Sequence, residues 1–370
     1  MQDLTKDELI TLVRRVFGSQ PGDRNLAVIC DLPDRELPDN TEWRARRDMA
    51  ADWAAKLQEG AADLGLEAAG LVVYDNVRRN NAELPERCTI HHSGRETTFE
   101  EILSTHQIVI APTELSATAP LKLLAKKHLF RAATMPGFGK AMIPALRLDW
   151  EEIDRRCHEL RVKVDRASAA EIRMAADDRE FRLTLDLRHR KGTASGGLLN
   201  KPGIAGNLPS GETYIVPYEG EREGDPSRTR GELPLEMDGE LMIYRIAENR
   251  IVAVEGDGPL AAAERNEVDS EPAYRNVAEL GLGILAGYGI KPVGSLLLDE
   301  KLGLHIAFGR SNHFPGGTVG PDDFTRPDRV VHIDYIYLPQ TQPAVRIDEL
   351  ALRNPGGGVE SLMRDGSWVV

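Results

Sequence analysis

His332 and Asp334 sit in Arg329-Val330-Val331-His332-Ile333-Asp334-Tyr335-Ile336-Tyr337-Leu338. In a strand, alternate side chains share a face. His332 and Asp334 therefore point one way, and Val331, Ile333 and Tyr335 the other. An imidazole and a carboxylate buried on one face are costly unless paired, and a metal ion would pair both. The plain alternative is a hydrogen-bonded His–Asp pair at the surface. His305 opens a second apolar run, His305-Ile306-Ala307-Phe308-Gly309, just after the acidic turn Asp299-Glu300. By itself it reads as a core or edge histidine. Glu279 is the lone charge in Asn276-Val277-Ala278-Glu279-Leu280-Gly281-Leu282-Gly283-Ile284. A carboxylate in such surroundings calls for a cationic partner or a metal, unless it simply ends a helix. Glu212 is delivered to a strand start by the turn Pro209-Ser210-Gly211. Together these are two histidines and three carboxylates, a mixture suited to Zn, Mn, Co or Fe. It is also about what two adjacent metals with a bridging carboxylate require.

The elements that must position these residues fall into two textures. Up to about residue 165, apolar strands alternate with helices. The strands are Asn25–Cys30, Gly70–Tyr74, His106–Ala111 and Arg131–Met135, and the helices are Asp7–Phe17, Thr41–Leu64, Phe99–Leu103, Leu121–Leu129 and Trp150–Ala169. Alternation of this kind predicts parallel βαβ units and an α/β, Rossmann-like N-terminal domain over residues 1–165. No GxGxxG follows the first strand, so no dinucleotide site is expected. From residue 166 to 370, strands are predicted over Phe181–Leu187, Glu212–Pro217, Glu240–Ile246, Arg250–Glu255, His305–Gly309 and Val330–Leu338, among dense Gly and Pro. This predicts an α+β, β-rich C-terminal domain that carries the metal site. The charged stretch Glu219–Glu232 is read as an exposed loop.

Composition narrows the function. The 370 residues carry a net charge of −13 and a pI near 5.3, which argues against a nucleic-acid partner. Cys30, Cys88 and Cys157 are odd in number and widely spaced, which suits neither a disulfide framework nor a thiolate zinc site. The N-terminus has no signal pattern and no long apolar stretch, so the expectation is a soluble cytoplasmic protein with no membrane association. Ser195-Gly196-Gly197 is Gly-rich but is no GxSxG elbow.

Taken in order, Asn207-Leu208-Pro209-Ser210-Gly211-Glu212, Ala278-Glu279-Leu280-Gly281, Asp299-Glu300 with His305-Ile306-Ala307-Phe308-Gly309, and His332-Ile333-Asp334 resemble the thermophilic metallo-aminopeptidase family of the aminopeptidase T and aminopeptidase S type. Ala111-Pro112-Thr113 and Ala133-Thr134-Met135-Pro136-Gly137 extend the likeness into the N-terminal half. The resemblance implies a homodimer and a site of one or two divalent metals that removes N-terminal residues from peptides or cleaves a related small amide. It implies Glu212, Glu279, His305, His332 and Asp334 as ligands, with Glu212 or Glu300 as the proton-transferring base. The family has a tyrosine shortly after its first histidine ligand. This chain has Asn312 at about that place, with His313 beside it, and both are candidate substrate contacts. The 2,5-dihydroxypyridine 5,6-dioxygenases share the appearance and the HxD motif, and hold a single Fe(II) by two His and one carboxylate. Their other histidine would fall near Glu279, which favours a hydrolase here. A non-catalytic binding protein is the third class and predicts no stoichiometric metal.

Overall fold

Helix starts in the first half are marked by their caps. Thr5 and Glu8 form a reciprocal capping box before Lys6–Phe17, Asn40 accepts from the Trp43 amide before Thr41–Glu59, and Thr98 accepts from the Glu101 amide before Phe99–Thr105. The computed structural model describes residues 3–369 and divides into two compact units. The first comprises Met1–Asp154, Gly196–Ser210 and Val293–Leu298, and the second Arg155–Ser195, Gly211–Pro292 and Asp299–Val370.

In the first unit a seven-stranded sheet runs in the order Ala205–Asn207, Arg131–Thr134, Ile108–Ala111, Asn25–Leu32, Ala68–Asp75, Arg87–Ile90, Arg95–Thr98. The first five strands are parallel and the last two antiparallel. Val72, Val109, Ala132 and Ile29 pack with Phe99, Leu103 and Leu121 from the helices in one apolar core. One expectation is corrected and one element was not expected. The helix beginning at Thr41 stops at Glu59, and Ala62–Leu64 is a separate 3-10 turn. Gly60 ends the helix, and a Cβ there would stand 2.6 Å from the tip of the Ile10 side chain. The hairpin of Arg87–Ile90 and Arg95–Thr98 lacks a long apolar run, and hydrophobic periodicity does not reveal it.

The second unit holds two antiparallel sheets. One has eight strands and the other five, the latter in the order His332–Ile336, Leu304–Gly309, Val277–Gly283, Glu212–Ile215, Thr193–Ser195. Leu280, Leu282, Leu304, Ile306 and Phe308 of the smaller sheet share one core with Leu183, Leu185, Leu233 and Leu235 of the larger. With period-two alternation, that burial dictates what lies on the other face: Glu212 and Tyr214, Glu279 and Gly281, His305 and Ala307, His332 and Asp334. The stretch Glu219–Glu232 is not simply an exposed loop. The Glu219 side chain is only 4% exposed, and a strand, Arg230–Met237, starts within it. No helix among the described residues is long and apolar enough to cross a membrane.

Candidate metal centre

Register brings four strands' polar residues to one spot. Gly281 pairs with both Tyr214 and His305, Ala307 with Glu279 and Asp334, Gly309 with His332, and Gly283 with Glu212. The small residues between the polar ones make the room. A Cβ on Gly281 would lie 1.8 Å from His305 Nε2, so the imidazole occupies the space a side chain would fill. Glu279 is therefore a mid-strand residue, not a helix-terminal one.

Five of the residues singled out from sequence converge here. His332 Nε2 lies 3.0 Å from Glu279 Oε2 and 3.5 Å from Asp334 Oδ1. His305 Nε2 lies 3.5 Å from Glu279 Oε1, 3.7 Å from Glu212 Oε2 and 4.0 Å from Asp334 Oδ1. The donors form two triads, Glu212–Glu279–His305 and Glu279–His332–Asp334, each with its atoms within 4.8 Å of one another. Glu279 belongs to both. Metal–ligand bonds of about 2.0–2.2 Å in tetrahedral geometry separate neighbouring donors by roughly 3.3–3.6 Å. Two of the five spacings, both 3.5 Å, fall in that range, and four of the five are longer than a direct hydrogen bond prefers.

The histidines are presented for ligation. His332 Nδ1 is 2.7 Å from the Arg310 carbonyl, to which it donates, so Nε2 faces the carboxylates. His305 is buried with its Nε2 toward the same group. Burial alone would lower both imidazole pKa values. For His305, Glu279, Asp334 and Glu212 outweigh it and hold the ring at about 9. For His332, Asp334 and Glu279 hold it well above its ordinary value. Burial would raise the Glu279 carboxyl, but His305 and His332 hold it well below the carboxylate range.

Two further residues complete the cluster, one of them unread in the sequence. Lys301 is buried, and its Nζ donates to Glu212 Oε1 at 2.6 Å and to Glu300 Oε1. In sequence it looks like an ordinary lysine in an acidic turn, and its sole signal is its place next to Glu300. Burial would lower Lys301, but Glu212 and Glu300 hold it well above normal. Burial pushes Glu300 up, Lys301 pulls it back, and Glu212 and Asp334 raise it again, leaving it at about 7. Glu300 lies outside both triads, whereas Glu212 is in one. Four carboxylates thus face one lysine and two imidazoles; with the imidazoles neutral, as ligands must be, the set carries an excess of negative charge that a divalent cation would balance.

The two substrate candidates diverge. Asn312 is exposed and accepts from Arg310 Nε at 2.8 Å, turned to its own loop. His313 lies at the cluster, its ring 5.0 Å from that of His332 and nearly perpendicular to it. Phe314 and Tyr214, neither expected there, join it. Phe314 is 5.3 Å from the His332 ring and 4.6 Å from Tyr214.

The second unit is thus defined by a buried His–carboxylate cluster on one face of an antiparallel sheet, within a mixed α/β chain of several sheets. No protein-family model matches the chain, and no curated protein matches it by sequence. The fold is similar to that of AmpT from Thermus thermophilus, with a TM-score of 0.56 at 18% identity over 99% of this chain and 100% of that one. It is also similar to 2,5-dihydroxypyridine dioxygenase from Pseudomonas putida KT2440, with a TM-score of 0.58 at 13% identity over 99% and 98% of the two chains. At these identities the likeness is one of fold.

Proposed function

We propose that the chain is a metal-dependent hydrolase of the aminopeptidase kind, acting on peptides or a related small amide. Glu212, Glu279, His305, His332 and Asp334 would hold two divalent cations, of Zn, Co or Mn. The observation that carries this reading is the sharing of Glu279 between two donor triads, the arrangement two neighbouring cations need. The fold's likeness to AmpT is compatible with it, as the comparable likeness to the dioxygenase is with the second reading below.

When bound, the ions would polarise a scissile carbonyl and make a coordinated water acidic. The chain's own groups do the rest. Glu300, buried beside the cluster but outside both triads, accepts the proton and returns it to the departing amine. Lys301 holds Glu300 beside Glu212 and keeps the two carboxylates from repelling each other out of place. Tyr214, Phe314 and His313 stack in series beside His332, where they could contact a substrate. Replacing Glu300 with Gln should therefore lower kcat by roughly 10²–10⁴-fold while leaving metal content unchanged. A bound cation pulls the Glu300 pKa below its metal-free value of about 7, so the acid limb of wild-type kcat should fall below that pH and vanish in the variant. Unchanged kcat would remove Glu300 from the mechanism.

One observation favours a second reading. Glu279 lies 3.0 and 3.5 Å from the two imidazoles, and a two-His, one-carboxylate set is what a single Fe(II) oxygenase uses. The test is release of an N-terminal residue from peptides by protein loaded with zinc, cobalt or manganese. Dioxygen uptake with a hydroxypyridine by iron-loaded protein, without peptidase activity, would decide for the oxygenase.

A further inference from the structure

Glu219 does nothing in the chemistry above, yet its side chain is nearly as buried as the ligands. It accepts four hydrogen bonds. Asn276 Nδ2 at 2.8 Å and Ser311 Oγ at 2.6 Å reach Oε1, and the Thr318 amide and Thr318 Oγ1, each at 2.7 Å, reach Oε2. Its nearest cation, Arg190 Nη2, is 3.8 Å away and is also engaged by Glu221. A buried carboxylate is tolerable only with its donors in place, so this one specifies where those donors must be.

They come from two places that matter. Asn276 lies three residues before Glu279 and also donates to the Gly309 carbonyl at the end of the His305 strand. Ser311 and Thr318 belong to the connection between the His305 and His332 strands. Ser311 is fully buried, and its hydroxyl also accepts from the Val319 amide at 3.1 Å. Ser311 is bonded directly to Arg310, whose carbonyl accepts from His332 Nδ1 and whose amide donates to Val331. The same short turn carries His313 and Phe314 against the His332 ring.

We propose that Glu219 is a positioning residue for the metal centre: by clamping Ser311 and Thr318 to Asn276, it holds the Arg310 carbonyl that turns His332 Nε2 toward the ligands. The proposal rests on the metal-site reading. A partner that orients a ligating histidine commonly supports its metal affinity by about 10–100-fold. Glu219→Gln keeps the shape but removes the charge and sets an amide N–H₂ against one fixed N–H donor, the Asn276 amide or the Thr318 backbone. Zinc affinity is measured by competition with a chromophoric chelator, alongside the melting temperature of the metal-free protein. Glu219→Gln should weaken zinc binding by about 10–100-fold, and Thr318→Val, which removes one donor only, should weaken it less. Glu271→Gln is the comparator. Glu271 is buried and holds the Thr325 amide and hydroxyl in the same connection, with Arg329 Nε 3.9 Å away, but bonds neither Ser311 nor Thr318. It should lower the melting temperature and leave zinc affinity as in wild type. Wild-type zinc affinity in both Glu219→Gln and Thr318→Val, or an equal loss in Glu271→Gln, would overturn the proposal. Failure of the wild-type protein itself to bind zinc would instead overturn the metal reading, and the proposal with it.

Discussion

Glu279→Ala should leave the protein without stoichiometric metal and lower kcat/KM on the order of 10³-fold or more, equivalent to about 4 kcal/mol. The expectation is larger than for any other ligand because Glu279 alone belongs to both triads. Loss of Glu212 or Asp334 leaves the opposite triad intact, so each should reduce metal content by about half in the two-cation account. The substitution has a pH signature in the metal-free protein. Glu279 is the leading attractive partner that raises His305 to about 9. A histidine raised above its unfolded pKa contributes stability that is complete below about 6.5 and is lost as pH rises through the folded value. The variant should therefore be less stable than wild type by most in mildly acid solution, with the difference fading above about pH 9. Urea titrations of both proteins in a chelator measure it. Full metal content in Glu279→Ala would exclude the shared-ligand geometry.

Lys301→Met should destabilise the metal-free protein by about 3–5 kcal/mol at neutral pH, the usual result of removing one partner from a buried ion pair. The lysine neutralises Glu212 and Glu300 at once. Without it both carboxylates are left in a buried, negatively charged cluster, and the Glu300 carboxyl, which burial already raises and Lys301 pulls back, rises further. A carboxyl raised above its unfolded value weakens the fold wherever the pH exceeds that unfolded value, and the penalty disappears as acid protonates it. The loss should be largest at about pH 8 and should shrink toward about pH 5. Zinc should recover part of it, because a cation restores the missing positive charge. A Lys301→Met protein as stable as wild type at the higher pH would show that the cluster does not depend on this lysine.

Much of the site was legible because it obeys strand periodicity. His332 and Asp334 alternate with Ile333 and Tyr335, and Glu279 and His305 stand out as polar residues in apolar runs with glycine or alanine beside them. Those small residues prove to be the cross-strand partners that make room for the rings. Lys301 was not legible. Its burial results from Glu212, 89 residues earlier, and nothing local separates it from a solvated lysine. Glu219 misled for the same reason: a charge-rich stretch reads as solvated, and only Asn276, Ser311 and Thr318, 57 to 99 residues away, reveal it as buried. In the first unit the apolar strands were clear. The polar hairpin of Arg87–Ile90 and Arg95–Thr98 was not, and neither was the helix stop at Glu59, where Gly60 is the C-cap in a stretch that stays Ala- and Leu-rich beyond it. Asn312 was singled out by its likeness to a family position, and it proves to bond Arg310 within its own loop, while its likewise exposed neighbour His313 lies with its ring against that of His332.

The most direct test of the central claim is anomalous diffraction from crystals of the wild-type protein grown with zinc. The shared-ligand account predicts two peaks about 3.5–4 Å apart, with Glu279 between them, His305 and Glu212 at one, and His332 and Asp334 at the other. A single peak held by His305, His332 and one carboxylate would contradict it.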